Sequence, residues 1–318
     1  MTANHPTAAL PTTPAHPAAS DPPAGGGVLF SARDVTKTFG GVHAVTGVSC
    51  DIARGAVFAI IGPNGAGKST MLNLISGVHQ PDAGSLSLEG TDLAGLPPHR
   101  RARLGIARTF QKIRLFRQLS ALENVVAGFH IHHGIAPWQY VLHGEAFRRN
   151  RARCRAEATD LLAFAGLAGR GDAVAGALSY GEQRMLEFAR ALATRPRLLL
   201  IDEPAAGLNG AEADRLLERI LQVRERGVTV VLVEHNMELV MNVADRILVM
   251  DYGRRLFEGV PADVQKDPAV IAAYLGDGDW FDRSVTDFAV RYASQNERDY
   301  DEFTAAIKSG RLAAAEGV

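Results

Sequence analysis

The sequence predicts an α/β protein: a mixed sheet core that carries an antiparallel β layer and is interrupted by an inserted α-helical subdomain. Three observations lead there. Val57 to Ile61, Leu198 to Ile201 and Val228 to Val233 are apolar throughout, as strands covered on both faces must be. Between the last two runs, Leu216, Leu217, Ile220, Leu221 and Val223 recur at helical spacing within Ala211 to Arg226, and strand, helix, strand in that order implies parallel pairing through right-handed crossovers. Finally, Leu29 to Val35 and Ala44 to Ile52 alternate apolar and polar residues, the pattern of an antiparallel layer with one face buried.

Taken in chain order, residues 1–27 are rich in Pro, Ala, Thr and Gly and lack a basic start followed by an apolar run, so they are expected to form a disordered leader and not a secretory signal. Residues 28–276 form the main domain. Within it, roughly 96–193 carries few strand signals and many helical ones, and is read as the inserted helical subdomain. Its Arg148, Arg149, Arg151, Arg153 and Arg155 read first as a solvated helix face, with lipid headgroups or a partner as the sharper alternative. After Gly276 the composition shifts, and residues 277–318 are expected to form an appended helical tail whose residues imply no chemistry.

Bulk properties narrow the function. With 318 residues, 47% of them hydrophobic, a sizeable core can form, while a formal net charge of −1 leaves no basic footprint for nucleic acid. No stretch approaches the roughly 18 apolar residues of a spanning helix, so work at a membrane needs partner subunits. Cys50 and Cys154 lack any CxxC spacing and read as buried or inert thiols; His130, His132, His133 and His143 have no carboxylate or Cys at ligand spacing and are not read as a metal site.

The chemistry begins at Gly62-Pro63-Asn64-Gly65-Ala66-Gly67-Lys68-Ser69-Thr70, between the apolar run ending at Ile61 and the helical pattern from Met71 to Val78. Strand, glycine loop and helix form a phosphate cradle, in which backbone N–H groups and the helix N-terminus face negative charge. Lys68 is placed to reach the β and γ phosphates of a nucleoside triphosphate, and Ser69 to put its hydroxyl on Mg²⁺, a hard ion that takes oxygen ligands. Asp202, ending the run Leu198 to Ile201, lies where a carboxylate can face that metal, and the adjacent Glu203 can polarise the attacking water. Leu178-Ser179-Tyr180-Gly181-Glu182-Gln183 opens a second helix, Glu182 to Ala193, whose start would also suit a phosphate.

These segments in this order, followed by His235 after another strand, resemble the ABC-transporter ATPases over about Val28 to Gly276. The resemblance implies a P-loop NTPase fold of ABC type, with ATP and Mg²⁺ as ligands. It further implies an ATPase dimer, either a homodimer or a pair with a paralogous subunit, in which each ATP lies between one glycine loop and the other subunit's Ser179 and Gly181. Gln111, after Arg108-Thr109-Phe110, would link the metal to the helical subdomain; His235 would hold the γ phosphate; Phe39 aligns with the aromatic that stacks on adenine. Two positions depart from the common pattern: Tyr180, where many members have Gly, and Asn209, where they have Asp. Neither removes a phosphate ligand, and Asn209 is kept among the nucleotide-binding residues.

Within the family, Arg108 to Gln111, Leu115 to Ser120, Asp202 to Asn209, Glu234 to Met237 and the closing Ala273 to Gly276 are similar to the ATP-binding subunits of branched-chain amino-acid importers. That implies a peripheral place on the cytoplasmic face of the inner membrane, transmembrane permease subunits docking around Gln111 to Gly128 with Phe116 and Leu119 as apolar contacts, and an indirect partner in a periplasmic or extracellular solute-binding protein. Importers of urea or short amides and the lipopolysaccharide-export ATPase are the nearest alternatives; a soluble ABC protein acting on ribosomes or DNA would favour two motif sets or a long heptad insertion, and the sequence has neither.

Overall fold

A computed structural model describes residues 27–131 and 145–275; the rest of the expected leader, the tail 277–318 and His132, His133 and His143 lie outside the described residues. Strands β1 (Val28–Phe39) and β2 (Val42–Ala53) pair antiparallel, and β4 (Ala83–Leu88) and β5 (Thr91–Asp92) extend the same layer on the far side of β1. The second sheet has the order β10-β9-β3-β8-β7-β6, with β3 (Val57–Ile61), β6 (Ile106–Arg108), β7 (Leu198–Asp202), β8 (Thr229–Val233) and β9 (Arg246–Asp251) parallel and β10 (Arg254–Gly259) antiparallel at the edge. The mixed core and the antiparallel layer are therefore both present.

Why the central strands are apolar except at their ends is visible in their packing. Phe58 and Ile60 of β3 join Phe30, Ile52, Leu86 and helix α1 (Lys68–Ser76) in a core between the two sheets. On the opposite face, Val57, Leu199, Ile201, Val230 and Leu232 pack against Phe188, Leu216 and Ile220. Adjacent residues of one strand point to opposite faces, so a sheet covered on both sides needs apolar residues at every position.

The segment 96–193 is not helical throughout. After α2 (Pro98–Arg103), residues Ile106–Arg108 form β6 and pair in parallel with β7 in the main sheet. Three residues are too few for a strand period to register in the sequence. The helices that follow, α3 (Ala121–Phe129), α4 (Glu145–Phe164) and α5 (Tyr180–Ala193), enclose a core of their own with Leu122, Val125, Leu162 and Leu186. Helix α5 starts two residues earlier than its apolar pattern suggests, because Ser179 caps it: Ser179 Oγ accepts the Glu182 N–H at 3.2 Å and Glu182 Oε2 accepts the Ser179 N–H at 2.9 Å. The five arginines of α4 are exposed, with Arg153 reaching Glu157 at 3.4 Å, as a solvated face requires. Cys50 and Cys154 are free and buried, and burial pushes both thiols up.

The chain continues through α6 (Gly210–Glu225), α7 (Met237–Val243), α8 (Pro261–Val264) and α9 (Pro268–Leu275). Val240, Val264, Val270 and Tyr274 cover the β3 and β9 residues Ala59, Ile61, Ile247 and Val249. Among the described residues no helix is long and apolar enough to cross a membrane.

Candidate functional site

The glycine loop leaves the C-terminal end of β3 and is pressed between β2 and β9. A Cβ on Gly62 would stand 2.0 Å from the Met250 carbonyl oxygen, and one on Gly67, whose φ is 98°, would stand 2.3 Å from that of Ala44. Only glycine fits there, and the backbone is thereby held open toward solvent at Asn64 and Gly65, which are exposed. Gly67 caps α1 with no side-chain hydrogen bond, so the N–H groups of the first turn remain unclaimed by any capping side chain. Lys68 Nζ donates to the carbonyls of Gly62 at 2.7 Å and Pro63 at 2.8 Å. Burial pushes its ammonium down, and the carboxylates of Glu203 and Asp202 act in the opposite direction. Ser69, next along, is exposed. An ammonium, free amides and the positive end of a helix converge on one cradle, a donor set suited to a polyphosphate.

Asp202 and Glu203 meet this cradle from β7. Asp202 is buried, with Oδ2 accepting from Arg108 Nη2 at 2.9 Å; among the described residues its Oδ1 accepts no hydrogen bond. One carboxylate oxygen and one serine hydroxyl suit an ion that keeps phosphate and water oxygens as its other ligands, and no group of three or more His, Cys, Asp or Glu forms an all-protein cage among the described residues. Glu203 takes a left-handed backbone, φ 45°, with its N–H donating to the Val233 carbonyl at 2.8 Å. A non-glycine residue there costs about 1 to 2 kcal/mol. That turn swings its carboxylate between two partners: Gln111 Nε2 donates to Oε2 at 2.6 Å, and His235 Nε2 to Oε1 at 2.6 Å. Three residues singled out separately in the sequence thus form one hydrogen-bonded chain.

Ser179 and Gly181 sit elsewhere. Ser179 caps α5, Gly181 is buried against the Glu212 carboxylate, and among the described residues no hydrogen bond joins either to the loop 62–70. A single chain therefore presents a phosphate loop and a separate second helix start.

Residues 45–206 match the family of ABC transporters. Over 250 residues, 78% of this chain and 98% of the relative, the chain is 43% identical to the high-affinity branched-chain amino acid transport ATP-binding protein BraF of Pseudomonas aeruginosa. The chain belongs to the ABC transporter ATP-binding family. The corresponding LivG protein of Escherichia coli K12 is 39% identical over the same shares of both chains. Residues 254–279 match the family described as branched-chain amino acid ATP-binding cassette transporters. Among solved structures, an ABC transporter cassette in its ADP conformation superimposes with a TM-score of 0.68 at 31% identity, covering 78% of this chain and 99% of that one. A dimeric cassette in a post-hydrolysis state with ADP and Pi gives 0.63 at 26% identity, covering 73% and 99%.

As an ABC cassette, the chain explains its two departures from the common pattern. The Tyr180 hydroxyl donates to the Ala206 carbonyl at 3.1 Å and accepts from Arg184 Nη2 at 3.0 Å, so the side chain that replaces glycine ties helix α5 to the segment 205–209. Asn209 caps α6: its Oδ1 accepts the Glu212 N–H at 3.0 Å, a task Asn performs as well as Asp. Phe39, 41% exposed, stands edge-on to His79 with ring centroids 5.0 Å apart and Lys37 Nζ 5.3 Å from its centroid, leaving an aromatic face available for stacking.

Four further residues shape the ABC site without a role readable from the sequence: Arg108, Glu234 and Tyr274 stand there only as members of family-like segments, and Arg184 in none. Glu234 is buried and accepts the N–H groups of Ala205, His235 and Asn236 at 2.9, 2.8 and 3.2 Å, fixing the turn that carries His235. Arg184, also buried, donates to the carbonyls of Phe110 at 2.7 Å and Gln111 at 2.9 Å. Tyr274, on α9, bonds the backbone of Gly62; burial pushes its hydroxyl up and that bond opposes the shift. Arg108 holds Asp202.

Proposed function

We propose that this chain is the ATP-hydrolysing subunit of an ABC importer for branched-chain amino acids. The hydrogen-bonded chain Gln111, Glu203, His235 is the observation that carries the hydrolytic part, because it places an oriented carboxylate beside a phosphate cradle. The names of BraF and LivG support the transported class.

In this reading the loop residues Gly62, Pro63, Asn64, Gly65, Ala66, Gly67, Lys68, Ser69 and Thr70 hold the phosphates of ATP, and Phe39 stacks on the base. Ser69, Asp202 and Gln111 would hold Mg²⁺, which when bound neutralises phosphate charge. Glu203 orients and deprotonates water. Gln111 and His235 fix its carboxylate until the γ phosphate is in place, when His235 turns to it. Ser179, Gly181 and Asn209 act across a dimer, on the ATP held by the other ATPase subunit; that among the described residues no hydrogen bond joins any of them to the loop 62–70 supports that arrangement. Closure around two ATP molecules is passed to permease subunits on the cytoplasmic face of the membrane. Phe116 and Leu119, 53% and 40% exposed, do not face the subdomain core. The neighbours of Phe116 in sequence, Leu115 and Arg117, line a cleft of about 360 Å³ together with Gln111 and Tyr180, through which a docked permease would be linked to Gln111.

The test is uptake into vesicles holding this chain, its permease and its solute-binding protein. ATP-dependent uptake of leucine, isoleucine or valine is expected; uptake of urea or short amides alone would overturn the assigned substrate class.

A further inference from the structure

We infer that Arg108 is a positioning residue for the metal: a clamp that fixes the distance between Asp202 and the helix bearing Ser69. The inference rests on the reading of Asp202 and Ser69 as Mg²⁺ ligands.

Arg108 leaves β6 beside the strand that carries Asp202, and its side chain is largely covered, 10% exposed against 7% for Asp202. Its guanidinium divides between two elements. Nη2 donates to Asp202 Oδ2 at 2.9 Å, while Nη1 donates to Asn73 Oδ1 at 2.6 Å and Ser76 Oγ at 3.1 Å, both on α1. Ser69, Asn73 and Ser76 are separated by four and three positions and so share one face of that helix. The face that presents the Ser69 hydroxyl is thus the face gripped, one and two turns further on, by the cation that grips Asp202.

Two consequences follow from the geometry. The arginine occupies Oδ2 and leaves Oδ1 as the oxygen free for an ion, so it selects which lone pairs are presented. The planar fork also spans helix and strand rigidly, with Cζ 5.3 Å from the Phe110 centroid, which a flexible ammonium cannot do. Partners that orient metal ligands are typically worth about 10-fold to 100-fold in metal affinity.

The experiment is calorimetric titration of the purified full chain with ATP, once in excess MgCl₂ and once in EDTA, which separates the metal's contribution from that of the cradle. In Arg108→Gln the tightening that Mg²⁺ brings should fall on the order of 10-fold, with the EDTA affinity changed by less than about 2-fold. Arg108→Lys should fall with it, because the point charge cannot span both elements. Unchanged tightening in Arg108→Gln, full retention in Arg108→Lys, or an equal loss with and without Mg²⁺ would each overturn the clamp. Should Arg108→Gln not fold, Asn73→Ala removes one arm without altering charge and should lose about 2-fold to 3-fold of the tightening; no loss there would equally overturn it. Asp202→Asn is the control: if it keeps the full Mg²⁺ effect, the assignment of Asp202 as a ligand has failed, independently of Arg108.

Discussion

Glu203 and His235 meet at 2.6 Å, Oε1 to Nε2, although they lie at the ends of different strands and Glu203 holds a left-handed backbone to get there. With Gln111 on Oε2, both oxygens of the carboxylate are engaged. A base held on two sides is oriented, and it can take a proton from water once one partner lets go.

His235→Ala removes the partner on Oε1 and the group assigned to the γ phosphate. Turnover of the complex should fall about 10²-fold, as for loss of one donor to developing charge, while ATP affinity stays within about 3-fold. Phosphate release paired with calorimetric binding checks both numbers.

Lys68→Ala removes a cation held by two loop carbonyls and aimed into the cradle. Charge-assisted bonds are worth about 1.5 to 3 kcal/mol, so ATP should bind at least about 10-fold more weakly. An unchanged dissociation constant would contradict the placement.

The capping box of α5 makes stability depend on acid. The Ser179 N–H, and with it the Ser179 hydroxyl and Arg170 at 3.0 Å, holds the Glu182 carboxyl below its ordinary value of 4.5. A carboxyl whose folded value is depressed stabilises fully above its unfolded value and loses that contribution as pH falls through 4.5 toward the lower folded value. Melting curves from pH 7 to pH 3.5 should therefore converge for wild type and Glu182→Gln as pH falls, with the wild type more stable at the upper end.

Tyr180→Phe deletes the hydroxyl that joins the Ala206 carbonyl to Arg184. A loss of about 1 kcal/mol in unfolding free energy is expected, together with faster hydrogen exchange across residues 205–209, where the freed segment opens.

Much of this was legible in the sequence because the catalytic parts are contiguous motifs at the ends of apolar strands. Gly62 to Thr70, Asp202 with Glu203, and His235 each follow a run that must be a central strand, and strand ends in a parallel sheet converge. What stayed hidden depends on contacts between distant segments. Arg108 reaches Asp202 across 94 positions and Arg184 reaches Phe110 across 74, and nothing local marks either contact. Strand β6 leaves no mark in the sequence because three residues carry no period, and α5 begins before its apolar pattern because its first residues follow the cap. Tyr274 is, in the sequence, only part of a closing segment; its contact with Gly62 exists because α9 folds back over β3.

The most direct test is Glu203→Gln in the complex with permease and binding protein. The amide keeps the size of the side chain and loses its basicity, so hydrolysis should slow by about 10²-fold or more with ATP bound as tightly as before. Turnover near that of the wild type would contradict the role of Glu203, and with it the reading of Gln111 and His235 as the groups that hold it.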